Sequence, residues 1–189
     1  MTEQDVLDQF LATKALLQGH FLLRSGLHSD RYFQAALVLQ HTRLAASLCA
    51  ELASRFAGTP VDLVISPAIG GIVVGQEVGR ALGVKAIFAE KDEQSNLLLR
   101  RGFSLQPGEK VLVAEDVVTK GGRVQQTIDL VRKAGASVVG VAVMVDRSGG
   151  TNPFDVPLHC LVRLNLPTYK PEECPLCRRG LAIDKPGSK

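Results

Sequence analysis

The chain of 189 residues contains no tryptophan, and only 5% of its residues are aromatic. Its formal net charge is only +3. Surfaces that grip nucleic acid combine a strong basic excess with stacking aromatics, so no nucleic-acid partner is expected. A mild positive balance suits anionic small molecules equally well. No apolar run is long enough to cross a bilayer, so no membrane partner is expected either. Met1 to Phe10 is polar and acidic, unlike a secretory signal peptide, and the expected setting is the cytoplasm. Cysteine is scarce as well: Cys49, Cys160, Cys174 and Cys177. Cys174-Pro-Leu-Cys177 has the spacing of one zinc knuckle, but a second Cys-x-x-Cys is missing. His159 and Cys160 would complete four ligands only if the fold brought them close. Reduced thiols are therefore the expectation, and no protein-bound metal is assigned. No internal repeat and no second domain are visible. With 46% hydrophobic and 22% charged residues, the chain has the makings of one domain with a real core.

What is present is organised around Val111 to Arg123, V-L-V-A-E-D-V-V-T-K-G-G-R. Val111 to Ala114 form an apolar run of the kind found in a strand buried on both faces. Glu115 and Asp116 follow at once. Carboxylates there are costly to desolvate unless sugar hydroxyls, a metal ion or a cationic side chain compensate them. Thr119-Lys120-Gly121-Gly122 comes next, and its glycines let backbone amides turn inward. Amides clustered at a helix start, here Val124 to Ala134, make a phosphate site. Strand, acid pair, cradle and helix come in the order that puts a ligand beyond the strand's C-terminal end.

Elsewhere the periodicity predicts an amphipathic helix from Gln4 to Gln18, ended by Gly19. Strands at Phe21–Leu23 and Tyr32–Val38 should flank a Ser-Gly turn. A helix is expected at Thr42–Phe56 and a core strand at Val61–Ile65. Ser66-Pro67-Ala68-Ile69-Gly70-Gly71 then forms a second anion-ready loop, leading into a helix that ends at Leu82. Gly71, Gly75, Gly79 and Gly83 stripe this helix, either to pack on the sheet or to meet another subunit. Val84–Ala89 reads as a strand. Glu90 to Gly108 has no clear period and carries Lys91, Arg100 and Arg101, so it is either a functional lid or a solvated loop. Val138–Val145 and Leu158–Leu164 read as strands. Arg147 leaves the first of these at the ligand-binding end, where a guanidinium can grip a carboxylate with two parallel hydrogen bonds. Pro167 to Lys189 reads as a C-terminal arm.

The stretch from Val111 to Arg123 resembles the 5-phosphoribosyl-1-diphosphate (PRPP) motif of type I phosphoribosyltransferases. Phe21, Arg24, Ser25-Gly26, Ser29 and Tyr32-Phe33 further resemble the N-terminal hood of the orotate phosphoribosyltransferases. The resemblance runs from about Gly19 to Gly150, with the motifs in the family's order. It implies an α/β fold in one domain, a mostly parallel sheet flanked by helices under a small hood at about 19–40. It implies Mg²⁺-dependent transfer of ribose 5-phosphate from PRPP to orotate, with Asp116, Glu115 and Lys91 as catalytic residues. PRPP would be held by Glu115, Asp116, Val117, Val118, Thr119, Lys120, Gly121, Gly122 and Arg123. Ala68, Ile69, Gly70, Gly71 and Lys91 would hold its diphosphate. Orotate would meet Arg24, Ser25, Gly26, Tyr32, Phe33, Thr119 and Arg147, the last through its carboxylate. Residues 90–108 would be a mobile loop closing over a neighbour's site in a homodimer. Two other readings share the PRPP motif. A transferase for another base, such as adenine, is opposed by Arg147 and the hood. A PRPP-binding regulator without chemistry is opposed by the small charge and the lack of a preceding helix-turn-helix segment.

Overall fold

The computed structural model describes residues 1–23 and 25–186. In chain order its elements are α1 (Glu3–Ala12), β1 (Leu16–Leu22), β2 (His28–Phe33), α2 (Ala35–Leu39), α3 (Thr42–Ser54), β3 (Leu63–Pro67), α4 (Gly71–Leu82) and β4 (Lys85–Lys91). β5 (Leu97–Leu99), β6 (Lys110–Val118), α5 (Gly122–Lys133), β7 (Ser137–Asp146), β8 (Leu158–Arg163) and the short α6 (Pro175–Arg178) follow. The central sheet has six strands in the order β5-β4-β3-β6-β7-β8. Only β4–β5 is antiparallel; the other pairs are parallel.

Because side chains alternate across a strand, the apolar runs feed two cores. Val64, Leu112, Ala142 and Met144 share one with Val6 and Phe10 of α1, Leu48 and Leu52 of α3, and Val74 and Val78 of α4. Ile65, Val111, Val113, Val141 and Val143 share the other with Val124, Ile128 and Val131 of α5. Each fully buried Val, Leu, Ile, Phe or Met side chain among them contributes about 1.5–3 kcal/mol. The glycine stripe of α4 packs on the sheet. A Cβ on Gly75 would lie 2.7 Å from Ser66 Oγ, and one on Gly79 would lie 2.9 Å from Ala86 Cβ.

β1 and β2 form a separate two-stranded sheet, the hood. Here the structure departs from the sequence reading. α1 stops at Ala12, and Lys14 takes a left-handed φ of 57°. Leu16 and Leu17 are spent instead on pairing with Phe33 and Tyr32. β2 ends at Phe33, and the apolar run behind it coils into α2; a run that short is compatible with either state. Residues 90–108 are also less irregular than expected. β4 continues to Lys91, which pairs with Leu97 of β5. The Asp92 carboxylate closes the turn by accepting the Asn96 amide at 2.8 Å.

The C-terminal arm is tied to both edges of the hood. On the β2 side, His28 and Tyr169 exchange two backbone hydrogen bonds of 2.8 Å. On the β1 side, Asp184 N–H donates to His20 and Leu22 N–H donates to Asp184, each at 2.8 Å. Ser29 Oγ donates to the Pro167 carbonyl at 2.7 Å. His159 and Cys160 take no part: the His159 ring stacks edge-on against Phe56, and Cys160 lies in β8. The side chains that meet Cys174 and Cys177 are His20 and His28.

Candidate active site

The parallel strands deliver three loops to one end of the sheet, after β3, β6 and β7. This is where open α/β sheets bind ligands. β6 extends through the acid pair to Val118, so Glu115 and Asp116 are strand residues on alternate faces. Glu115 is only 5% exposed, while Asp116 is half-buried. Burial, then the neighbouring Asp116, pushes the Glu115 carboxyl up from 4.5 to about 9. Arg123 pulls in the opposite direction and less strongly. Among the described residues, neither carboxylate forms an ion pair.

The β3 loop abuts this pair directly. A Cβ on Gly70 would sit 2.7 Å from Asp116 Oδ2, and one on Gly71 would sit 2.8 Å from Glu115 Oε1. Any side chain at either place would crowd a carboxylate, which explains why the loop is glycine there. Beneath it, Ser66 Oγ is buried without a hydrogen-bond partner among the described residues. Nothing in the sequence singled this hydroxyl out. The Ala68-Ile69 peptide is cis, and no proline announces it.

Glu115 to Val124 line a cleft of about 410 Å³. Gly121 caps α5 with a left-handed φ of 75°, and Phe154 fills the space its side chain would need. The uncapped amides of α5 therefore face the cleft, as an anion requires. A second concavity of about 500 Å³ is lined by Ala68, Ile69, Gly70, Glu90, Lys91 and Arg123. Arg123 borders both. Lys91 thus stands beside the β3 loop of its own chain. Arg101 is engaged: it grips Glu90 through two hydrogen bonds of 2.7 and 3.0 Å.

At the end of β7, Arg147 is half-buried, and its Nε is buried without a hydrogen-bond partner among the described residues. Desolvation lowers its pKa and Tyr32 of the hood raises it; a guanidinium stays cationic through both. Its backbone is fixed by a 2.7 Å hydrogen bond from Arg147 N–H to the Val118 carbonyl. So the acid strand positions the arginine.

Residues 33–160 match the phosphoribosyl transferase domain family. The orotate phosphoribosyltransferase of Pelotomaculum thermopropionicum is 51% identical over 189 residues, covering 100% of this chain and 99% of that protein. The one from Chlorobium phaeobacteroides is also 51% identical, covering 100% and 97%. The chain belongs to the orotate phosphoribosyltransferase family. Among solved structures, the orotate phosphoribosyltransferase of Aeropyrum pernix matches with a TM-score of 0.69 at 23% identity, over 84% of this chain and 93% of that one. An adenine phosphoribosyltransferase from Rhodothermus marinus matches at 0.67 and 21%, over 85% and 99%. The fold is that of the type I phosphoribosyltransferases, and it is shared across bases. Ser25 and Gly26 are exposed at the hood's tip, and Arg24 lies outside the described residues. Tyr32 is half-buried on the Arg147 side. Phe33, its neighbour on the opposite face, packs on Phe10 with ring centroids 4.8 Å apart and belongs to the core.

Proposed function

We infer that this chain transfers the ribose 5-phosphate group of PRPP to orotate, giving orotidine 5′-monophosphate and pyrophosphate. The observation that carries the base assignment is Arg147, a half-buried guanidinium with an unpartnered Nε under electrostatic influence from Tyr32. A carboxylate-bearing pyrimidine answers that group; adenine has nothing to offer it.

In this reading the amides of Thr119 to Gly122, with Lys120 and Arg123, hold the 5-phosphate. The β3 loop amides and Lys91 face the diphosphate, and Arg147 holds orotate so that its N1 points at C1 of the ribose. The bond from C1 to the diphosphate oxygen breaks, the electron pair leaves with pyrophosphate, and N1 forms the new bond while its proton is lost to the departing pyrophosphate or to water. Positive charge grows on the sugar meanwhile. Asp116 accepts hydrogen bonds from the ribose hydroxyls and favours that charge. Glu115, which burial keeps protonated up to about pH 9, can both donate to and accept from a hydroxyl. Asp116, without an ion-pair partner among the described residues, also fits a hard cation: the diphosphate, the ribose oxygens and water would supply most ligands of Mg²⁺, with the Asp116 carboxylate beside it. That ion would supply neutralisation of the diphosphate charge. A homodimer belongs to the same proposal. Ile69 is 83% exposed, and Val73 and Leu98 are exposed as well. These apolar side chains on α4, β5 and the β3 loop are suited to meeting a second copy, and mass in solution tests this.

The activity test follows loss of orotate absorbance with PRPP and Mg²⁺, run beside adenine and uracil. Orotate alone should react. Arg147→Ala should weaken orotate by about 2–5 kcal/mol while leaving PRPP affinity nearly unchanged. Equal losses for both substrates would remove Arg147 from base recognition.

A further inference from the structure

The imidazoles of His20 and His28 and the thiols of Cys174 and Cys177 converge away from the cleft, where the C-terminal arm crosses the hood. Their nearest ligand atoms all lie within 4.8 Å of one another. His20 Nε2 is 3.6 Å from Cys174 Sγ and 3.7 Å from Cys177 Sγ. His28 Nδ1 is 3.3 Å from Cys177 Sγ and 2.9 Å from His20 Nε2. Zinc bonds of about 2.0–2.1 Å to nitrogen and about 2.3 Å to sulfur put the corners of a tetrahedron roughly 3.3–3.8 Å apart. The three sulfur–nitrogen separations fall in that range, and the nitrogen pair is slightly tighter.

The surroundings are built for such an ion. The β1–β2 register shifts between Gln18 and Phe21, and the bulge turns both His20 and Phe21 inward, to 5% exposure each. A regular strand would have sent one of them outward. His20 Nδ1 lies 2.8 Å from the Leu181 carbonyl. Nδ1 must therefore carry the proton, which leaves the Nε2 lone pair aimed into the cluster; metal-bound histidines are oriented in this way. His28, also buried, offers Nδ1 from the first residue of β2. Cys174 is fully buried ahead of α6 and Cys177 lies within it. A helix of four residues has no stability of its own in water. Few apolar side chains of the arm are buried near it, chiefly Leu176 at 8% exposure. Something other than an apolar core must hold this segment.

We propose that His20, His28, Cys174 and Cys177 form a closed, structural Zn²⁺ site that staples the C-terminal arm to the hood. Two thiolates and two neutral imidazoles are a borderline-soft set suited to zinc. Four protein ligands leave no open position for chemistry. Binding releases the two thiol protons and leaves the site neutral. The staple fixes the edge of the hairpin that carries Tyr32. It stands apart from the transfer reaction and can be tested whether or not the chain acts on orotate.

The test uses the full chain purified without chelator. Metal analysis should find about one zinc per chain, and the content should fall to background in both Cys174→Ser and Cys177→Ser. Cobalt(II) exchanged into the unmutated protein should give the intense visible bands of a tetrahedral site and a thiolate charge-transfer band. This arm does not depend on any variant folding. Removing the ion with a zinc chelator should expose two further reactive thiols. It should also speed amide exchange in residues 16–33 and 167–184 more than in β6 and β7. A protein free of zinc that also gives no tetrahedral cobalt spectrum would overturn the proposal, its thiols then belonging to a hydrogen-bonded cluster. A Cys174–Cys177 disulfide found by mass, or zinc retained at full content in both serine variants, would overturn it as well.

Discussion

At the ligand end of the sheet, the groups that face the cleft are neighbours in sequence: Glu115 to Arg123 supply acid pair, cradle and helix start within nine positions. In the hood the contacts join distant segments. Ser29 and Pro167 are 138 residues apart, and His20 and Leu181 are 161 apart. The first region sits on strands buried on both faces; the second is a two-stranded sheet closed by an arm. A ligand end built on such a scaffold tolerates loss of a functional group without loss of fold. A hood built from long-range ties should couple its own stability to how well it holds the base.

Asp116→Asn should break the first half of that comparison most sharply. Turnover should fall on the order of a hundredfold to a thousandfold, the scale of losing one preorganised electrostatic contact, while the melting curve stays in place. Turnover within about threefold of the unmutated enzyme, under 1 kcal/mol of barrier, would remove Asp116 from the chemistry. Lys91→Ala should cost on the order of tenfold, about 1.4 kcal/mol. Because Lys91 lines the concavity of its own chain, mixing Lys91→Ala with Asp116→Asn chains should restore nothing. Recovery of activity on mixing would show instead that the lysine serves a neighbour's site.

Glu115→Gln tests stability against pH. The folded chain holds this proton up to about pH 9, whereas an unburied carboxyl releases it near 4.5. Between those values the folded state binds more protons than the unfolded one, so stability falls as pH rises through the window. The glutamine variant lacks that loss. Its unfolding free energy should exceed that of the unmutated chain by at least about 1 kcal/mol at mildly alkaline pH, converging with it toward pH 4.5. Parallel curves would mean that Glu115 is solvated. The smallest effect is expected at the hood. Ser29→Ala removes the hydrogen bond to Pro167 and costs about 0.5–1.5 kcal/mol. It should raise the orotate KM more than the PRPP KM, and an equal change in both would uncouple the arm from base binding.

The same contrast governs what could be read from the residues alone. β3, β6 and β7 were legible as apolar runs, and α3, α4 and α5 as periodic ones, because local pattern and tertiary burial agree there. The acid pair and both glycine loops were legible for the same reason. The end of α1, the coiling of residues 35–39 and the β4–β5 hairpin were not. At the end of α1 and in the hairpin, strand pairing or a tight turn overrode a weak local preference; residues 35–39 are an apolar run too short for its pattern to tell strand from helix. The glycine stripe left two meanings open, and the close approaches of Gly75 to Ser66 and of Gly79 to Ala86 decide between them. Cys174 and Cys177 announced half of a ligand set. The other half lay more than 140 residues earlier, as two histidines on either side of a Ser-Gly turn. A histidine on each arm of one hairpin was the only available hint.

The separation between hood and arm has a consequence for how the chain is made. Synthesis proceeds at about 5–20 residues per second, so the β1–β2 hairpin emerges on the order of ten seconds before Tyr169 and Asp184 arrive to pair with it. A two-stranded hairpin is marginal in water, and for that interval both its edges, with His20, Phe21 and His28, are open to any strand that passes. The nascent chain's exposure to mispairing is therefore concentrated in the hood, and it ends only when the arm has been translated.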